Sequence, residues 1–93
     1  MSDNRYVSCK DEASGLRFVF KRDRDAPDLL HIYARHLTAP EDAISTFFAS
    51  KPTYNAERNR FETWSSNHGL FWFWLKEGSV CMVISCFRRD EAT

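Results

Sequence analysis

The sequence predicts a small α+β domain in the order ββ-αα-βββ, with two short consecutive helices packed on one face of an antiparallel β-meander. Three observations support this fold class. The length of 93 residues fits one domain over residues 1–93. With 43% apolar and 15% aromatic residues, the chain has enough large side chains for a modest core. Segments in which apolar and polar residues alternate flank a central region with helical periodicity.

Two short strands are predicted first, over residues 5–10 and 16–21. The polar segment between them ends at Gly15 and supplies a turn. In the second strand, Phe18 and Phe20 alternate with polar or smaller residues, which indicates one apolar face.

Two helices are predicted next. The first covers residues 25–37, because Asp25 can cap a helix and Pro27 suits a first turn. The second begins at Thr38, which forms a capping-box pattern with Glu41. The residues expected to face the core are Leu29, Leu30, Tyr33 and Leu37 in the first helix and Ala43, Ile44, Phe47 and Phe48 in the second.

The C-terminal half predicts a meander of three strands, over residues 60–66, 70–75 and 80–87, after a short extended piece at 53–55. Residues 67–69 and 76–79 are predicted tight turns, since Asn and Gly tolerate positive φ. Both faces of the strand over 70–75 are apolar. One face packs against the helices, so the other must be covered by the N-terminal strands, by strong curvature or by a partner.

Charge and cysteine usage restrict the function classes. Lys and Arg number 13, as do Asp and Glu, so no overall field attracts nucleic acid or an anionic membrane. Cys9, Cys81 and Cys86 lack the spacing of a disulfide framework or a zinc site, and no metal or cofactor is expected. No long apolar run follows the polar N-terminus, which predicts a cytoplasmic protein without a membrane partner.

Histidine and arginine residues are the candidates for chemistry. Cleavage of RNA without a metal needs a base, an acid and cations that hold the phosphate. Six residues can supply these groups if the sheet packs on the first helix: His31, Arg35, His36, Arg58, Arg60 and Arg88. The other interpretation is that these six are ordinary surface residues.

Four further residues are weaker candidates for binding. His68 lies in a predicted turn, and loops often carry function. Trp64, Trp72 and Trp74 can stack nucleobases, form a protein interface or pack in the core.

Several short motifs occur in a suggestive order. They are Phe18-Val19-Phe20, Arg35-His36, Pro40-Glu41-Asp42-Ala43, Phe47-Phe48, Glu57-Arg58-Asn59-Arg60 and Val83-Ile84-Ser85-Cys86-Phe87-Arg88. This order resembles the BrnT-type toxins, small ribonucleases of the RelE-like and colicin-ribonuclease-like group in type II toxin–antitoxin systems. Met82 stands where the family has an arginine, and Phe87 displaces the last arginine to Arg88.

The resemblance implies a toxin-like ribonuclease that cleaves RNA by metal-independent general acid–base chemistry. His36 would be the acid or base, and Arg35, Arg58, Arg60 and Arg88 would hold phosphate. RNA and a cognate antitoxin would be its partners. The surplus apolar strand face and the balanced charge favour a different function, a non-enzymatic protein-binding module such as an inhibitor, an immunity protein or a subunit of a homodimer.

Overall fold

One six-stranded sheet forms the centre of the molecule. The computed structural model describes residues 5–92. The strands are β1 (Tyr6–Lys10), β2 (Arg17–Lys21), β3 (Thr53–Asn55), β4 (Arg60–Trp64), β5 (His68–Lys76) and β6 (Val80–Arg88), and the helices are α1 (His31–His36), α2 (Pro40–Ala49) and a final 3-10 helix (Arg89–Ala92). Their order in the sheet is β1-β2-β6-β5-β4-β3.

The predicted α+β class is confirmed, but the purely antiparallel meander is wrong. Strands β3 to β6 do form an antiparallel meander. However, β2 lies parallel to β6, with Phe18 beside Cys81 and Phe20 beside Val83. This position gives β2 a neighbour on each side, so Phe18 and Phe20 are fully buried. Turn motifs in a sequence predict pairing only between consecutive strands. Strands β2 and β6 are not consecutive, so no such motif predicts that they pair.

The core lies between the sheet and the two α-helices. Phe18, Leu70 and Trp72 project from the sheet towards Ile32 of α1 and Ala43 of α2, and all five are buried. Each buried side chain of this size contributes about 1.5–3 kcal/mol. This packing fixes both helices on one face of the sheet.

The predicted first helix is too long, because residues 23–30 form a closed loop instead. The Asp23 carboxylate accepts the backbone N–H groups of Asp25 and Ala26, each at 3.0 Å. The Asp23 N–H donates to the Leu29 carbonyl at 2.8 Å and closes the loop. The predicted core stripe is confirmed only for Leu30, which packs against the core, whereas Leu37 is 65% exposed. Leu29 and Tyr33 are exposed as well.

The start of α2 differs from the predicted capping box. Helix α2 begins after Ala39, whose N–H donates to the Asp42 carboxylate at 2.8 Å. Thr38 is buried, and its hydroxyl donates to the Cys86 carbonyl oxygen at 2.8 Å. Thr38 therefore ties the helical layer to β6. In α2, Ala43 is buried as predicted, but Phe48 is exposed.

Gly69 lies in β5 and not in a turn, which corrects the prediction for residues 67–69. It pairs with Trp64 of β4 and with Phe87 of β6. A Cβ atom at Gly69 would lie 2.5 Å from Trp64 Cζ3 and 2.6 Å from Phe87 Cζ, so only glycine fits under these rings. The other predicted turn is confirmed, with Gly78 at φ 75°.

The second apolar face is not covered by the N-terminal strands. Strands β1 and β2 extend the sheet at its edge, in plane with the other four strands. Ile32 of α1 and Ala43 of α2 pack into the core on the opposite face, and His36 at the end of α1 also approaches the ring of Phe87. We call the face without these helices the open face; the residues whose side chains define it are Tyr6, Lys10, Arg17, Val19, Lys21, Arg60, Glu62, Trp64, Phe71, Phe73, Leu75, Met82 and Phe87.

Candidate functional site

Asp23 is the centre of a polar cluster beside α1. Its side chain is only 3% exposed, and it accepts a hydrogen bond from Arg35 Nε at 3.1 Å. Arg35 also binds the Asp25 carboxylate through Nη2 at 2.8 Å. Burial alone raises the pKa of Asp23, but the hydrogen bonds from the Asp25 and Ala26 backbone and from Arg35 outweigh it, so this pKa is lowered. Arg35 is therefore held in an ion-pair network.

Two predicted site histidines meet at this cluster. His31 Nδ1 lies 3.4 Å from Asp23 Oδ1, and the His31 side chain is about one-third exposed. The ring centroids of His31 and His36 are 6.4 Å apart. His36 also lies 6.1 Å from the ring of Phe87. An imidazole oriented by a carboxylate and placed next to a second imidazole can take part in proton transfer.

The predicted arginines do not gather around these histidines. Arg88 pairs with His68 at one end of the β5–β6 hairpin. Arg60 precedes Phe61, and Phe61 pairs with Trp72 of β5. Trp72 lies four positions, or about 13 Å, from His68 along β5, so the Arg60 backbone is far from the His68–Arg88 pair. Arg58 is exposed in the β3–β4 loop. Arg58 and Arg60 are thus separated from Arg88 along β4 and β5, whereas Arg35 and His36 lie on α1.

Two of the three tryptophans belong to the core. Trp72 is buried, and its Nε1–H donates to the Thr63 hydroxyl at 2.9 Å. Its ring stacks on Phe61, with centroids 4.6 Å apart. Trp74 packs against Trp72 with centroids 4.9 Å apart. Trp64 lies on the open face and is partly exposed. Among the predicted stacking residues, only Trp64 offers a ring to a ligand on that face.

A shallow apolar depression lies on the open face. Its volume is about 420 Å³. Leu75 and Tyr6 at its margin are 56% and 41% exposed. The sequence predicted the surplus apolar face but not that β1 and β2 belong to it, because the β2–β6 pairing was not predicted. The lining residues are Tyr6, Val19, Phe73, Leu75 and Met82.

The other half of the open face is aromatic and closely packed. Phe71 and Phe87 have ring centroids 5.1 Å apart, and Trp64 lies 5.7 Å from Phe87. The guanidinium of Arg60 lies 3.7 Å from the Phe71 centroid, a cation–π contact. This half is preformed, since its rings already contact one another.

Glu62 supplies the negative charge next to these rings. Its Oε2 accepts hydrogen bonds from Asn55 Nδ2 at 3.0 Å and from Arg60 Nε at 2.9 Å. The hydrogen bond from Asn55 and then the bond and charge of Arg60 hold the pKa of Glu62 below its ordinary value, although burial opposes them. Arg60 and Glu62 therefore neutralise each other on the open face.

A second cleft lies at the end of β2. It has a volume of about 780 Å³ and mixes the cations Lys21, Arg22 and Arg24 with the carboxylates of Asp23 and Asp28. Arg22 Nη1 donates to the Pro27 carbonyl at 3.2 Å, which fixes one wall. Because its charges are mixed, this cleft is less selective for one ligand class than the open face.

No family model, curated protein or solved structure matches this chain. Within residues 5–92, no helix is long and apolar enough to cross a membrane. In the same part of the chain, no three His, Cys, Asp or Glu residues are grouped so as to hold a metal ion.

Proposed function

We propose that this protein is a protein-binding module whose binding surface is the open face of its sheet. One observation carries the proposal: the open face presents partly exposed Tyr6, Trp64 and Leu75 beside the half-buried Phe73 and Met82, while both α-helices occupy the other face. A large apolar patch on a small protein is typical of an interaction surface, and aromatic residues and methionine are enriched in such surfaces.

Site-specific cross-linking tests this proposal. A photoreactive amino acid at Leu75 should form a discrete adduct with another protein in the cells that produce this chain, because Leu75 borders the apolar depression. The matched control places the same group at Phe48, an exposed apolar residue on the helical side. Adducts of equal yield from both positions, or no protein adduct from Leu75, would refute the proposal.

A toxin-like ribonuclease is the second candidate. The observation that favours it is the pairing of His31 with Asp23 at 3.4 Å next to His36, because acid–base cleavage of RNA needs two proton-transfer groups. His31 is then a stronger candidate than His36 alone for the oriented base. The separation of Arg60 from Arg88 along the sheet weighs against one phosphate site that uses all the predicted arginines.

The ribonuclease candidate has a direct assay. Purified protein, free of any bound partner, is incubated with labelled RNA without added metal. Cleavage should occur and should fall at least tenfold in both His31→Ala and His36→Ala, since each histidine would supply a proton-transfer step worth about 10²-fold or more. Lack of cleavage by the wild-type protein would exclude this candidate, as would full activity of both variants.

A further inference from the structure

The open face is basic, although the chain as a whole carries no net charge. Glu62 is the only acidic residue in the six strands, and Arg60 neutralises it. Strand alternation and the β1–β2 register place Lys10, Arg17 and Lys21 on the open face. Three positive charges from β1 and β2 therefore flank the apolar depression without a compensating carboxylate from the strands.

These cations lie on both sides of the depression. Lys21 pairs with Tyr6, and Arg17 pairs with Lys10, with Val19 between them along β2. Four residues separate Arg17 from Lys21, a distance of about 13 Å. Arg17 Nη1 donates to Ser8 Oγ at 3.2 Å. Among the side chains of residues 5–90, none of the three cations forms a salt bridge, so their charges are available to a partner.

The cations and the apolar depression together indicate the chemistry of the partner. A second copy of the chain would place another face with three uncompensated cations against this one, and like charges at an interface are repulsive. Three of the five residues that line the depression, Val19, Leu75 and Met82, are not aromatic and suit an apolar side chain, and the rings of Tyr6 and Phe73 complete the lining. Carboxylates flanking that side chain would meet Arg17 on one side and Lys21 on the other.

We propose that the open face binds an acidic amphipathic segment of another protein, with an apolar side chain in the depression and carboxylates at Arg17 and Lys21. This inference rests on the proposed protein-binding function and names the chemistry of its partner. The cleft at the end of β2 adjoins the open face, because Lys21 lines both. A partner segment longer than the depression would reach this cleft, where Arg22 and Arg24 lie beside the carboxylates of Asp23 and Asp28.

Fluorescence anisotropy with defined probes tests the inference. The first probe is a labelled peptide that alternates Leu or Phe with Glu. The second has every Glu replaced by Lys, the third has every apolar residue replaced by Ser, and the fourth is oligouridylate. The first should bind, and more weakly as NaCl increases, because part of the attraction is between exposed charges. The second and third should bind at least tenfold more weakly.

Matched variants localise the effect. The double variant Arg17→Gln/Lys21→Gln should bind the acidic amphipathic peptide about tenfold more weakly, since it loses two contacts at the margin of the site. The control Lys51→Gln/Arg58→Gln changes the net charge equally with exposed residues outside the open face, and its affinity should stay within about twofold. All these positions are at the surface, so circular dichroism should show that both variants fold.

The outcomes separate this inference from the proposed function. If the Lys-containing peptide binds as tightly as the Glu-containing one while Leu75 still cross-links to a protein, the acidic partner is refuted and the binding function stands. If oligouridylate binds more tightly than the acidic peptide, the open face is a nucleic-acid surface. If light scattering shows a dimer that Leu75→Asp dissociates, the partner is a second copy. If neither peptide nor cross-link is found, both proposals fail.

Discussion

Replacement of Gly69 by alanine should destabilise the fold through two aromatic rings of the open face. The new Cβ would lie 2.5 Å from Trp64 and 2.6 Å from Phe87, so each ring must move by about 1 Å to reach an ordinary contact near 3.5 Å. Such overpacking costs about 1–3 kcal/mol. Alanine recovers about 0.5–1 kcal/mol relative to glycine in a strand. The net loss should be between about 0 and 2.5 kcal/mol, with a central value of about 1 kcal/mol.

Urea unfolding followed by circular dichroism measures this loss, and a double-mutant cycle identifies its cause. Phe87→Leu removes the two Phe87 ring atoms that lie 2.6 and 2.9 Å from the new Cβ, so the cost of Gly69→Ala should fall by at least about 0.5 kcal/mol in that background. Gly78→Ala is the control: its φ of 75° makes alanine cost about 1–2 kcal/mol with or without Phe87. A Gly69→Ala cost that does not depend on Phe87 would refute steric contact with the ring as its cause.

Three further predictions concern the core, pH and the thiols. Thr63→Val should lower the free energy of unfolding by about 1–3 kcal/mol in urea titrations, because it leaves the buried Trp72 indole N–H without its acceptor; an unchanged value would contradict this. The pKa of Asp23 is lower in the folded chain than in the unfolded chain, so its contribution to stability is present above the unfolded pKa and is lost as pH falls through the folded pKa. Urea titrations from neutral to acidic pH should show a smaller loss in Asp23→Asn than in wild type, and identical pH profiles would oppose this role. Burial raises the pKa of the Cys81 thiol, so a thiol-reactive disulfide should label Cys9 alone in the native protein and all three cysteines in denaturant. Labelling of more than one thiol in the native state would contradict the burial of the other two.

Local sequence patterns predicted where the strands lie better than they predicted which strands pair with each other. The alternation around Phe18 and the Gly78 turn gave β2 and the β5–β6 hairpin correctly. The parallel β2–β6 contact depends on two segments about sixty residues apart, and periodicity contains no information about such pairs. Gly69 shows the same limit: its sequence context predicts a turn, whereas the residues that require glycine there are rings on two neighbouring strands.

The candidate site was predicted only in part, for a related reason. The sequence grouped His31, Arg35 and His36 on one helix, and in the structure the ring centroids of the two histidines are 6.4 Å apart. Asp23 was missed, although an aspartate two residues before Asp25 and shortly before a proline is typical of a side chain that caps a turn. Helical periodicity predicted one helix over residues 25–37. The buried Asp23 carboxylate instead accepts hydrogen bonds from the backbone N–H groups of residues 25 and 26, which favours the loop.

The methyl signal of Met82 tests the central claim most directly. The chain has two methionines, and Met82 lines the depression on the open face. In a protein labelled with ¹³C-methyl methionine, the Met82 signal should shift or broaden in an extract of the producing cells relative to buffer. Leu75→Asp should restore the position and width seen in buffer. A Met82 signal that is the same in buffer and extract would contradict the claim that the open face binds another protein.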